Sequence, residues 1–127
     1  MASDRTRELV QAYYDSWKDG MASYDEERLR GILAPDLRFE GPIAGKREGL
    51  EPFLGGLADF VRALQAHQMV RQMHAGDEAS ALYDCNVGAS AGTLRFAEFL
   101  RVENDRIQEI KLLYDATEFR RLMAPVS

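Results

Sequence analysis

Glu98 is the residue of this sequence most plainly placed to do chemistry. It lies in Leu94-Arg-Phe-Ala-Glu-Phe-Leu-Arg-Val102, where alternation puts Leu94, Phe96, Leu100 and Val102 on one face of a strand with Glu98 in their midst. The other face carries Arg95, Ala97, Phe99, Arg101 and Glu103. A carboxylate buried unpaired among apolar neighbours is costly, so its pKa should rise and its protonated form become accessible near neutral pH. A carboxylic acid in that state can donate a hydrogen bond or a proton. The same pattern fits a structural acid neutralised by a nearby arginine, or one leaning out at the open end of the sheet.

The remaining reactive side chains point less sharply. His67 and His74 are separated by an odd number of positions, so on one continuous strand they face opposite sides and cannot share a metal. His74 fits a pocket acid or base, or a strand end in solvent. There is no His-Glu-x-x-His, no pair of cysteines and no carboxylate cluster of ligand spacing, so neither a metal nor a cofactor is expected. Cys85, the sole cysteine, reads as a small core hydrophobe in a chain suited to a reducing compartment. A Gly-x-Ser-x-Gly elbow is absent, which argues against a serine hydrolase. Gly88-Ala-Ser-Ala-Gly92 lacks the lysine of a phosphate loop and reads as a hairpin turn. Asp115, just before Ala-Thr-Glu-Phe, suits a helix N-cap.

Helices come first in the chain and strands after. Leu9, Val10, Tyr13, Tyr14 and Trp17 make an amphipathic stripe over residues 4–19, with Gly20 placed to end the helix. A shorter helix from about 25 to 34 is stopped by Pro35. Residues 37–41 read as a short strand, followed by a loop through Gly45 to Gly49. A third helix opens with Pro52 in its first turn and buries Phe53, Leu57, Phe60, Val61 and Leu64, with Gly55 and Gly56 allowing close packing on the sheet. From His67 the period changes to two, giving strands at about 67–75, 79–88, 93–103 and 106–115 and a terminal helix near 117–123. In these strands Tyr83, Cys85 and Val87 share one face, as do Ile110, Leu112 and Tyr114. This order is α+β, with helices covering one face of an antiparallel sheet.

Composition bounds the partners. A chain of 127 residues, 46% hydrophobic and 29% charged, fits one globular domain spanning residues 1–127. Sixteen basic against 21 acidic residues give a net charge of −5, which offers no footprint for nucleic acid or an anionic membrane. No apolar run approaches a membrane span and the N-terminus has no secretory core, so a cytoplasmic location is expected.

The layout resembles the nuclear transport factor 2-like superfamily, which includes SnoaL-like polyketide cyclases and ketosteroid isomerases. The resembling pieces are Leu9-Val-Gln-Ala-Tyr13, Leu37-Arg-Phe-Glu-Gly-Pro42, Arg47-Glu-Gly49 and Arg106-Ile-Gln-Glu-Ile110 running into Tyr114-Asp115. The resemblance implies a cone-shaped, cystatin-like fold, with a curved antiparallel sheet wrapped around N-terminal helices. It also implies an internal apolar cavity and a homodimer formed through the outer sheet face. Tyr13 falls where ketosteroid isomerases keep an oxyanion-hole tyrosine, and Glu98 where they keep a protonated aspartic acid. Their general base precedes a proline, and Gly41 occupies that place here. Asp115 lies near the acid/base aspartate of SnoaL-like cyclases.

Taken together, Tyr13 and Glu98 are expected to polarise a ligand oxygen, with Asp115 as a further catalytic candidate. Tyr14, Trp17, Phe39, Phe60, Tyr83, Cys85, Phe96, Leu112 and Tyr114 are candidate ligand-binding residues. The expected function is binding of an apolar small molecule with cofactor-free isomerase, cyclase or dehydratase chemistry. The alternatives are a non-catalytic carrier of an apolar metabolite and a dimeric interaction module.

Overall fold

The stripe Leu9, Val10, Tyr13, Tyr14 and Trp17 is buried throughout. In the computed structural model, which describes residues 2–124, the helix carrying its first four members is α1 (Ala2–Asp15). It ends earlier than its apolar stripe: Trp17 lies in the turns that follow, and Gly20, at φ 71°, opens a 3-10 turn (Gly20–Ala22). α2 (Glu26–Ile32) starts where the Asp25 carboxylate accepts the Arg28 amide, and buries Leu29.

The chain then enters β1 (Leu33–Gly41) directly, so Pro35 lies inside a strand instead of closing a helix. An irregularity in the pairing between Leu33 and Arg38 accommodates it, since proline has no N–H to give a ladder. β2 (Gly45–Glu48) occupies what reads in sequence as a loop, and all four of its residues are exposed. α3 (Leu50–Ala63) follows, with Leu50, Leu54 and Val61 buried. A Cβ built on Gly55 or Gly56 would meet nothing within 4 Å, so close packing does not require these glycines.

The rest is β3 (Leu64–Ala75), β4 (Glu78–Val87), β5 (Gly92–Glu103), β6 (Arg106–Leu113) and α4 (Ala116–Met123). One curved, open six-stranded sheet results, in the order β2-β1-β6-β5-β4-β3. It is antiparallel except for β1 against β6, which run parallel. β4 shows strict alternation: Ala79, Ala81, Tyr83, Cys85 and Val87 are buried and their neighbours less so. The expected parity fails once, in β3. A register shift between Met69 and Arg71 puts both His67, opposite Cys85, and His74, opposite Ala79, on the inner face.

α4 closes one end of the molecule. Its Leu122 is buried, and the β4–β5 turn receives it at two glycines. A Cβ on Gly88 would come within 2.1 Å of the Leu122 carbonyl oxygen, and one on Gly92 within 2.3 Å of a Leu122 methyl. Among the described residues, no helix is long and apolar enough to cross a membrane.

Candidate functional site

Glu98 is inward and buried, at 2% exposure, and it is not alone. Three phenols converge on its carboxyl group: Tyr14 donates to Oε1 at 2.7 Å, Tyr83 to Oε1 at 3.0 Å and Tyr13 to Oε2 at 3.2 Å. α1 supplies Tyr13 and Tyr14 from adjacent positions on its buried stripe, and β4 supplies Tyr83. Register sets the third approach. Tyr83 pairs with Phe96 and Ala81 with Glu98, so Tyr83 reaches Glu98 on the diagonal across a small neighbour.

The electrostatics follow from burial. Desolvation pushes the Glu98 carboxyl above its ordinary value, and the three phenol hydrogen bonds oppose that rise without cancelling it. Burial, and then the Glu98 charge, lifts Tyr13, Tyr14 and Tyr83 well above the usual phenol range, so all three remain donors. Oε1 has two donors and Oε2 has one, the most distant. A proton added to the carboxyl therefore goes to Oε2, where least hydrogen bonding is lost. Oε2–H and the Tyr13 hydroxyl then compete for one short segment, and one of them is freed to donate elsewhere.

That freed donor faces a cavity of about 470 Å³ that Tyr13, Tyr83 and Glu98 help to line. The volume lies within the range of small-molecule pockets. Of the residues singled out from sequence, Trp17, Phe39, Phe60, Phe96, Leu112 and Tyr114 also line it. Tyr14 does not; it holds Glu98 from behind. Cys85 is buried outside the lining, where desolvation pushes its thiol far above the usual range and keeps it protonated. Asp115 lies outside the lining as well, and its carboxylate accepts the Glu118 amide as the N-cap of α4. Gly41 borders the cavity and brings no side chain to it.

Several lining residues escape the sequence reading as site residues: Glu40, Ile43, Arg47, Phe53, Leu57, Asp59, Phe119 and Met123. Phe53 and Leu57 are legible as an apolar helix stripe, but nothing local says that the stripe faces a hollow. Their rings and methyls form a continuous wall, with Phe39 on Phe53 at 5.3 Å, Phe60 on Phe119 at 6.3 Å and Tyr83 stacked on Phe96 at 5.4 Å. Asp59 is at the rim, paired with Arg62 at 2.7 Å. Among the described residues, no three His, Cys, Asp or Glu side chains group closely enough to hold a metal ion.

The profile of the SnoaL-like domain matches residues 10–110. The chain belongs to the SnoaL-like domain family. Solved structures support the same fold. A protein from Jannaschia sp. CCS1 described as a SnoaL-like polyketide cyclase is 14% identical, with a TM-score of 0.77 over 98% of this chain and 96% of that one. One from Kribbella flavida DSM 17836 described as a ketosteroid isomerase is 20% identical, with a TM-score of 0.75 over 98% and 84%. A nuclear transport factor 2-like protein of unknown function from Cytophaga hutchinsonii is 18% identical, with a TM-score of 0.74 over 90% and 93%. No curated protein matches the chain. In this SnoaL-like domain the buried acid is a glutamate held by three tyrosines.

Proposed function

We propose that this SnoaL-like domain binds an apolar small molecule and catalyses cofactor-free proton transfer on it, of the isomerase, cyclase or dehydratase kind. The observation that carries the reading is the convergence of Tyr13, Tyr14 and Tyr83 on the Glu98 carboxyl beside an apolar cavity. With Glu98 protonated on Oε2, the Tyr13–Glu98 pair donates to a carbonyl oxygen and stabilises the negative charge that builds on it as a neighbouring C–H proton passes to a solvent water at the cavity mouth. The apolar lining around these donors strengthens them as charge develops.

One observation favours a second reading, a non-catalytic carrier. Gly41 stands where the resemblance places a base, Glu40 borders the cavity but alternates with the inward Phe39 and is in register with Lys46 and Lys111, and Asp59 is paired with Arg62 at the rim. A carrier needs the cavity and the donors alone. The two readings separate in an exchange experiment. In heavy water, 2-tetralone loses its α protons to deuterium, and NMR follows the rate. Acceleration by the wild type that Glu98→Gln abolishes supports catalysis; binding of the ketone without acceleration supports the carrier.

Met73, Ser80, Phe99 and Lys111 follow one another across the outer face, beside Arg71, Leu82, Ala97 and Leu113, and Met73, Phe99 and Leu113 are exposed large hydrophobics. A second copy of the chain covering that strip is the assembly we propose. The free, buried Cys85 is compatible with a cytoplasmic setting.

A further inference from the structure

We propose that Arg47 anchors a carboxylate of the ligand at the cavity mouth, so that the ligand is an apolar body with an acid at one end and a carbonyl or hydroxyl oxygen at the other. This rests on the reading that the cavity takes a ligand whose oxygen meets Tyr13 and Glu98.

The placement of Arg47 comes from register. In the β1–β2 hairpin Arg47 lies opposite Phe39, and Phe39 lies opposite Ile110 on the other side. Residues in register share a face of the sheet. Phe39 and Ile110 line the cavity, and Arg47 lines it with them. Lys46 and Glu48, its neighbours in β2, project from the opposite face. Exposed on an edge strand, Arg47 is a cation standing on the inner side of a predominantly apolar chamber.

Its partners are few. Nε donates to the Ala44 carbonyl at 3.1 Å, which fixes the stem against the hairpin turn. No carboxylate among the described residues forms an ion pair with it. Two acids besides Glu98 line the cavity: Asp59 is held by Arg62 at 2.7 Å, and Glu40, which alternates with Phe39 and is in register with Lys46 and Lys111, forms no ion pair with Arg47. The two Nη groups are therefore free to take a planar carboxylate, the geometry a guanidinium matches best.

The floor fixes the orientation. A ligand acid at the Glu98 end would bury a second negative group beside a carboxyl whose own charge is already disfavoured by burial. The acid therefore stays at the mouth with Arg47, and the neutral oxygen goes to the phenols.

The test uses three probes of one shape: 2-naphthol, 6-hydroxy-2-naphthoic acid and the methyl ester of that acid, titrated by fluorescence. The wild type is expected to hold the acid roughly fivefold more tightly than the ester, the range of a half-solvated charged hydrogen bond. Added salt should erode that preference and leave 2-naphthol unaffected. Arg47→Gln should remove the preference while binding 2-naphthol as the wild type does, which also shows that the variant is folded. Arg47→Lys should retain part of it. Equal binding of acid and ester by the wild type, or a preference that survives Arg47→Gln, overturns the proposal and leaves the cavity reading standing. Failure of 2-naphthol to bind the wild type overturns both.

Discussion

The Tyr13 hydroxyl meets Glu98 Oε2 at 3.2 Å, the longest of the three bonds to that carboxyl, while Tyr14 is held to Oε1 at 2.7 Å. Two adjacent tyrosines on one helix thus have different duties. Tyr14 lies outside the cavity lining and serves the buried acid; Tyr13 lines the cavity and can turn to a ligand. Tyr14→Phe should destabilise the fold by about 1–3 kcal/mol, because it strips a donor from a buried acceptor. Tyr13→Phe should cost less stability and weaken 2-naphthol binding much more than naphthalene binding. Denaturant melts and paired titrations measure both quantities. The reverse ranking would put the ligand on the Tyr14 side.

Glu98 makes stability depend on pH with a definite sign. Burial raises its folded-state pKa above the ordinary 4.5, so over that interval the unfolded chain releases a proton that the folded chain keeps. The stabilisation is whole below the unfolded value and is lost as pH rises through the folded one. Glu98→Gln cannot ionise. Its melting temperature relative to wild type should climb as pH rises above the ordinary carboxyl value of 4.5. Acids held low by arginines, such as Asp84 and Glu51, have the opposite slope but are common to both proteins and cancel. A difference that stays constant as pH rises above 4.5 would mean that Glu98 titrates as an ordinary carboxyl.

α4 contributes Phe119 and Met123 to the cavity wall and is held down by Leu122 against Gly88. Gly88 has a φ of 79°, and a methyl there would strike the Leu122 backbone. Gly88→Ala should therefore cost about 1–3 kcal/mol through strain and overpacking. It should also loosen α4 and speed hydrogen exchange of its amides relative to those of α1. Gly55→Ala, which adds a methyl where nothing is near, is the control and should be neutral or slightly stabilising. Equal effects of the two substitutions would remove the glycine contact as the anchor of α4.

The helix stripe and the strand parity make Tyr13 and Glu98 legible in the sequence because each is a local periodicity. Their convergence across 85 positions of chain is not local, and there the resemblance to a family supplies the link. Tyr14 and Tyr83 read as apolar wall, since the destination of a hydroxyl depends on helix rotation and on the diagonal Tyr83–Glu98 offset. β2 gives no signal at all: its residues are uniformly exposed, with no apolar alternation to betray a strand. The histidines mislead for a physical reason, because parity counts only along an unbroken ladder and the shift near Met69–Arg71 inserts a step. Arg47 is hidden for the same cause as β2, since its facing follows from a pairing that the sequence does not announce.

The outer sheet face yields the last prediction. Phe99 is 49% exposed and Leu113 60%, on adjacent strands, with Met73 at 58% across β4. Apolar side chains aligned on one face form a patch, and patches of that kind commonly mark an interface. A twofold pairing would bring each strip against its own copy, so one substitution acts twice. Phe99→Lys places two cations in the middle of such an interface and should shift the protein from dimer to monomer in sedimentation velocity, while Arg95→Ala, at an exposed position joined to Asp84, should leave the dimer intact. Because Phe99 points away from the cavity, the monomeric variant should still bind 2-naphthol. A wild type that sediments as a monomer at tens of micromolar would overturn the pairing, and a Phe99→Lys protein that stays dimeric would move the interface off this face.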